Sequence, residues 1–224
     1  MLLAILLLIF AITGGTLLTF LFDRSTPRAA RLCMGACIGL TLMATIGFLL
    51  ALVFGLGATT IILSALLLLL PWLLLLLNND LRVAVLAALR PDSSPAGRSA
   101  ASIGYLAFYL AIAILLAMVF SRAVFERPDG IYTGVTNNLG DLPLHLQVIN
   151  SFTQGQNLPP QDPTYAGVRF AYPFLVDFLT AMLVRAGAGV IFAMWLQNMV
   201  LAMAFVGLLH YWKILLTRNR LAGI

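Results

Sequence analysis

Five stretches of almost unbroken apolar residues divide the chain, at about 1–22, 32–54, 58–77, 100–120 and 187–209. Each meets the roughly 20 residues a helix needs to cross a bilayer core. None carries Asp, Glu, Lys or Arg in its interior. The pattern predicts an all-α fold, a polytopic transmembrane bundle of about five spans, with short surface helices in a long loop between the last two. Phe54-Gly55-Leu56-Gly57 predicts a tight hairpin between spans two and three. Pro71 predicts a kink in the third, because proline lacks an N–H and crowds the preceding turn. Gly35 and Gly39 form a small-xxx-small pair suited to close helix approach. The stretch Asp80–Leu89 predicts a short interfacial helix on lipid headgroups, capped by Asp80 and ended by Pro91.

Composition agrees with the spans. Of 224 residues 62% are hydrophobic and only 9% charged, with a mean hydropathy of +1.02. A soluble domain of this size cannot cover so much apolar surface, so the chain is an integral membrane protein. The net charge of +5 does not point to nucleic acid. The basic residues sit in short clusters beside the spans, as topology signals do, and no Lys/Arg run interleaved with aromatics occurs. With five spans, Arg24, Arg28 and Arg31 fall on the same side as Arg82, Arg90 and Arg98 and as Lys213, Arg218 and Arg220. That side is expected to be the cytoplasm, with the C-terminus on it. The N-terminus and the 121–186 loop are then extracytoplasmic. Met1–Phe22 lacks a basic leader and a small-x-small site, so it reads as a retained span. Cys33 and Cys37, four apart on one helix face, read as packing residues rather than a metal or redox pair.

The loop differs in kind from its surroundings. Residues 140–177 bring together Asp141, His145, Asp162, Arg169 and Asp177, and chemistry on a polar substrate needs such ionisable groups. Pro143 suits the first turn of a helix over about 142–154, with Gly155 as its C-cap. Leu142, Leu146, Ile149 and Phe152 form its apolar stripe, expected to dip into the membrane surface, while Gln147, Asn150 and Gln154 face water. Asn157-Leu158-Pro159-Pro160 predicts an extended turn. A second short amphipathic helix is expected from about Pro173 to Arg185. Asp141 and His145 then share one side of a first turn. Asp141 can act as a general base, bind a hard divalent cation, or simply cap the helix. His145 can hydrogen-bond a phosphate or orient Asp141, and Arg169 can pair with a phosphate. Asp177 can cap, pair with Arg185, or face the cavity of Asp141. His210, Tyr211 and Trp212 read as an interfacial belt, and Gln197 and Asn198 as partners in helix–helix hydrogen bonds.

A span followed by Gly140-Asp141-x-x-x-His145, Ile149-x-Ser151-Phe152, Gly155-x-Asn157-x-Pro159-Pro160 and Tyr172-Pro173 resembles the first outer loop of membrane glycosyltransferases of the GT-C superfold. The resemblance covers about 100–210. It implies transfer of a hexosyl or pentosyl group from a polyprenyl-phosphate-linked sugar to an acceptor hydroxyl, with membrane lipid as the other partner. It implies Asp141 as the catalytic base or a metal-linked residue, with Mg or Mn as the possible cation. His145, Arg169, Tyr172 and Asp177 are the expected substrate-binding residues. The chain divides accordingly into 1–99, three spans with cytoplasmic basic loops, and 100–224, the start of a GT-C-like module: span, outer loop, span and basic tail. Such enzymes have several more spans beyond the loop, so the chain reads as the N-terminal part of one or as a reduced relative.

Two other functions compete. A transporter leaves charged residues within its spans, and none is present here. A non-catalytic scaffold that presents the loop to a partner remains open on the residues alone. A glycosidase fits less well, because it needs a matched carboxylate pair flanking the bond.

Overall fold

The computed structural model describes residues 1–90, 100–165 and 167–218. They form an all-α bundle with five helices long and apolar enough to cross a membrane: α1 (Leu2–Phe22), α2 (Arg28–Phe54), the broken pair α3 (Ala58–Leu68) and α4 (Leu70–Leu77), α6 (Ala100–Ala123) and α9 (Val190–Thr217). Between them lie α5 (Asn79–Leu89), a hairpin of β1 (Phe125–Arg127) and β2 (Gly130–Tyr132), α7 (Asn138–Thr153) and α8 (Leu175–Arg185).

Glycine decides how α1 meets α2. A side chain at Gly15 would strike the backbone of Gly35 and Gly39, and one at Gly39 would strike the Ala11 carbonyl. The expected pair therefore works within a three-glycine seam that lets the two backbones touch. Arg31 closes one end of the seam. It is 3% exposed, donates to Thr19 Oγ1 at 2.9 Å and to the Thr26 carbonyl at 3.3 Å, and its guanidinium lies 3.7 Å over the Phe20 ring. The third span breaks at Leu69, and Pro71 falls in the first turn of the piece that resumes, as a ring that cannot continue an unbroken helix requires.

The two ends of the bundle differ in chemistry. At one end the Met1 amine donates to the Gly187 carbonyl, and Leu56 N–H in the α2–α3 turn donates to Gln156 Oε1 at 3.1 Å. The N-terminus and the 121–186 loop thus share an end. At the other, Arg28 donates to the Arg90 carbonyl, and Arg28, Arg31 and Arg82 line one groove. The basic segments gather there.

Several expectations are corrected. The α5 helix is present, but Asn78 caps it, accepting from Leu81 N–H at 3.0 Å. Asp80 lies inside the first turn, and Pro91 lies outside the described residues. The stripe of α7 does not rest on lipid. Ile149 and Phe152 are buried in one core with Phe178 and Met182 of α8 and Leu40 and Met43 of α2, while Gln147, Asn150 and Gln154 face outward as expected. The α8 helix is not a surface element. Asp177 through Leu183 are all buried, because α2, α7 and α9 pack round it. Phe178 meets Phe48 and Phe152 edge-on at 5.4 and 5.1 Å, a preferred aromatic geometry. His210 is likewise buried within the bundle. It is 9% exposed and its Nδ1 hydrogen-bonds Tyr109 Oη on α6, whereas Trp212 is exposed.

Candidate functional site

The α7 helix begins at Asn138, one turn earlier than the proline suggests. Asp141 is therefore inside its first turn rather than before it, and the capping role falls away, since Asn137 occupies the N-cap. A carboxylate there still gains from the N-terminal dipole. Asp141 is exposed and lines a cleft of about 410 Å³ between the loop-end halves of α6 and α9 and the start of α7. Phe120, Met194 and Trp195 supply apolar walls, and Asn138, Asp141, His145 and Asn198 supply its polar groups.

His145 lies four residues after Asp141, so both reach the same cleft. Its partner is not Asp141. His145 Nδ1 lies 3.0 Å from both Asp177 oxygens, in an ion-pair arrangement whose acid is almost fully covered. Burial pushes the Asp177 carboxyl above the usual range, and the hydrogen bond and charge of His145 oppose that shift. Holding Nδ1 fixes the ring and leaves Nε2 for a ligand. Asp177 thus stands behind His145 rather than in the cleft, and Arg185 donates instead to the Thr153 carbonyl at 3.5 Å. The Tyr172 ring lies edge-on to His145, centroids 6.1 Å apart, and it is 45% exposed.

Arg169 goes elsewhere. It is exposed and lines a second cleft of about 550 Å³ with Pro159, Pro160, Phe48 and Phe174. The Gly-x-Asn-x-Pro-Pro segment is a structural turn. Asn157 Nδ2 donates to Ser151 Oγ at 3.2 Å and to the Gln161 carbonyl at 2.7 Å, and its Oδ1 accepts from Gln161 N–H at 2.9 Å. Asp162 is tied to Thr164, whose hydroxyl and backbone N–H hold its carboxyl below the usual range.

Sequence reasoning missed Asn138 and the hairpin, and read Asn198 only as a helix–helix partner. Gln197 and Asn198 are adjacent, so they point about 100° apart on a helix and do not share a role. Gln197 bonds α8, accepting from Thr180 Oγ1 and donating to the Val176 carbonyl, both at 3.2 Å. Asn198 lines the cleft. The hairpin has a turn signal in Pro128-Asp129-Gly130. It carries the chain from the end of α6 toward α7 beside Val124 and Val135, which edge the same cleft.

Among the described residues no three His, Cys, Asp or Glu side chains converge. The cleft's oxygen donors are the Asp141 carboxylate and the amides of Asn138 and Asn198. Compared with protein-family models, with curated proteins and with solved structures, the chain matches none.

Proposed function

We propose that this multi-pass membrane protein is a glycosyltransferase, or part of one, that moves a sugar from a polyprenyl-phosphate donor to an acceptor hydroxyl. The observation that carries the reading is the cleft in which the exposed Asp141 meets an imidazole anchored from behind by a buried acid. The cleft lies where apolar spans give way to a polar loop, the level at which a lipid-linked phosphate sits. Asp141 takes the proton of the acceptor hydroxyl as that oxygen attacks the anomeric carbon. The bond from that carbon to the donor phosphate breaks, and polyprenyl phosphate leaves. A phosphate leaving group needs no strong acid, so one base with a hydrogen-bond donor to the phosphate is sufficient. His145 Nε2 is that donor when the ring is protonated, and Tyr172 shields it.

Holding a divalent cation, Mg or Mn, is the alternative role the cleft offers Asp141, since a carboxylate that holds a cation is not free to take the acceptor proton. Asp141 with the amide oxygens of Asn138 and Asn198 would hold it. So sparse a donor set suits a hard cation that keeps several waters and takes other ligands from phosphate. Such a cation would neutralise charge on the departing phosphate. Arg169 lines the other cleft, so it has no part in this step.

The loop end is assigned to the extracytoplasmic side and the basic end to the cytoplasm, on the Lys/Arg bias. A membrane-impermeant thiol reagent added outside should label Asn157→Cys and spare Ser25→Cys in a background without Cys33 and Cys37. The reverse pattern overturns the assignment. The activity is tested with membranes containing the protein, a radiolabelled polyprenyl-phosphate sugar and a panel of hydroxyl acceptors. Release of polyprenyl phosphate with label moving to an acceptor is expected. A donor left intact under every acceptor contradicts the enzyme reading and favours the scaffold.

A further inference from the structure

At the basic end, away from the Asp141 cleft, α1, α2, α4 and α5 enclose a groove of about 460 Å³. Its walls are hydrocarbon, including Leu17, Leu32, Leu75 and Leu86, with the Trp72 ring. Among the described residues, its polar lining includes three guanidinium groups, those of Arg28, Arg31 and Arg82, and no carboxylate. Among the described residues, none of the three has an acid within ion-pairing distance. Each hydrogen-bonds neutral acceptors instead: Arg28 the Arg90 carbonyl, Arg82 the Asn79 side chain, and Arg31 Thr19 and Thr26. Asp23, whose charge Arg31 feels, spends both its oxygens on Ser25 and Thr26. A guanidinium carries five N–H donors, so Arg28 and Arg82, both exposed, keep donors to spare. Among the described residues, Arg28 and Arg82 at the edge of this apolar groove, with the buried Arg31 beside them, meet no carboxylate in its lining, and the groove is complementary to one molecule with an anionic head and a hydrocarbon tail.

We infer that this groove is a binding site for an anionic phospholipid of the surrounding membrane, its phosphate on Arg28 and Arg82 beside Arg31 and one acyl chain along Leu32, Trp72, Leu75 and Leu86. Arg31 is fixed by its buried hydrogen bonds, so it contributes charge at a set place. Arg28 and Arg82 close on the phosphate from two different helices, α2 and α5. The lipid thereby pins α5 to the first two spans. The site is independent of the proposed enzymatic reading, since it shares no residue with that cleft.

The test uses the whole chain in nanodiscs of phosphatidylcholine mixed with phosphatidylglycerol. Lipid retained through mild delipidation is counted by native mass spectrometry. Wild type should keep one phosphatidylglycerol in preference to phosphatidylcholine. Arg28→Gln and Arg82→Gln should each lower that preference about fivefold, and the pair about 25-fold, as expected for an arginine at an anionic lipid surface. Both residues are exposed, so monodispersity and helicity should be unchanged. Val85→Trp, which fills the groove and keeps all three charges, should also lose retention. Arg122→Gln with Arg127→Gln, at the loop end, should leave it within twofold. Retention unchanged in the Arg28/Arg82 pair overturns the site. Equal loss in the Arg122/Arg127 pair overturns it too, because general surface charge then suffices. So does equal thermal stabilisation by inorganic phosphate in pure phosphatidylcholine discs. Retention surviving Val85→Trp overturns the acyl-chain half of the assignment.

Discussion

The α7 and α8 helices each carry one acid in the first turn, Asp141 and Asp177. Both helices are short and amphipathic, yet the fold treats their acids oppositely. Asp141 is exposed at the edge of a cleft. Asp177 is 4% exposed, with His145 on both oxygens. The cause lies in the residues C-terminal to each acid. Phe178 to Leu183 are buried without a break, so α8 is drawn into the core and takes Asp177 with it. Beyond Asp141, α7 alternates buried and exposed positions, so only one face is covered. A buried carboxylate must be compensated, which commits Asp177 to His145. An exposed one is free to meet a substrate.

The largest effect that sharpens this contrast is in the core. Phe178→Ala should cost about 3–5 kcal/mol, because Phe178 is fully buried between Phe48 and Phe152. Leu139→Ala on α7, at a position 63% exposed, should stay within about 0.5 kcal/mol. Unfolding in mixed micelles compares the two, and equal losses would mean that α8 is not buried. Asp177→Ala comes next, at about 1–3 kcal/mol, because it strips His145 of its partner. The raised carboxyl sets the sign of the pH dependence. The fold binds that proton more tightly than the unfolded chain does, so its stabilising contribution is full below the ordinary value of 3.8 and is lost as pH rises through the raised value. Asp177→Asn should flatten that decline in acid unfolding titrations, and an unchanged slope would assign the decline to another group. Asp141→Ala should cost less than Asp177→Ala. Asp141 is not the cap, so only its dipole interaction is lost, at most about 1 kcal/mol.

Much of the bundle was legible because hydrocarbon runs of span length have few alternatives. The break just before Pro71 and the glycine contact of Gly35 and Gly39 were legible for the same reason: each residue type permits little else. The burial of α8 was not. Its alternation of Asp177, Thr180 and Arg185 with apolar residues fits a surface helix equally well. Only the tertiary fold shows that Thr180 bonds Gln197 and that Asp177 bonds His145. The site was half legible. Spacing alone put Asp141 and His145 together. That His145 is held by an acid 32 residues later, and that Arg169 belongs to another cleft, depend on loop paths that no local pattern encodes. Asn198 was hidden by its neighbour Gln197, which does make the helix–helix bonds.

A substitution with little expected effect on stability carries the most weight for function. Asp141→Asn keeps the shape of the side chain and removes the charge a base requires. Transfer from a polyprenyl-phosphate sugar should be measured for wild type and Asp141→Asn in the same membranes, with unfolding midpoints recorded alongside. The account predicts matching midpoints and transfer lowered by at least about 10²-fold, the usual worth of a general base. Transfer at the wild-type rate in the Asn variant would contradict it and leave Asp141 without a chemical role.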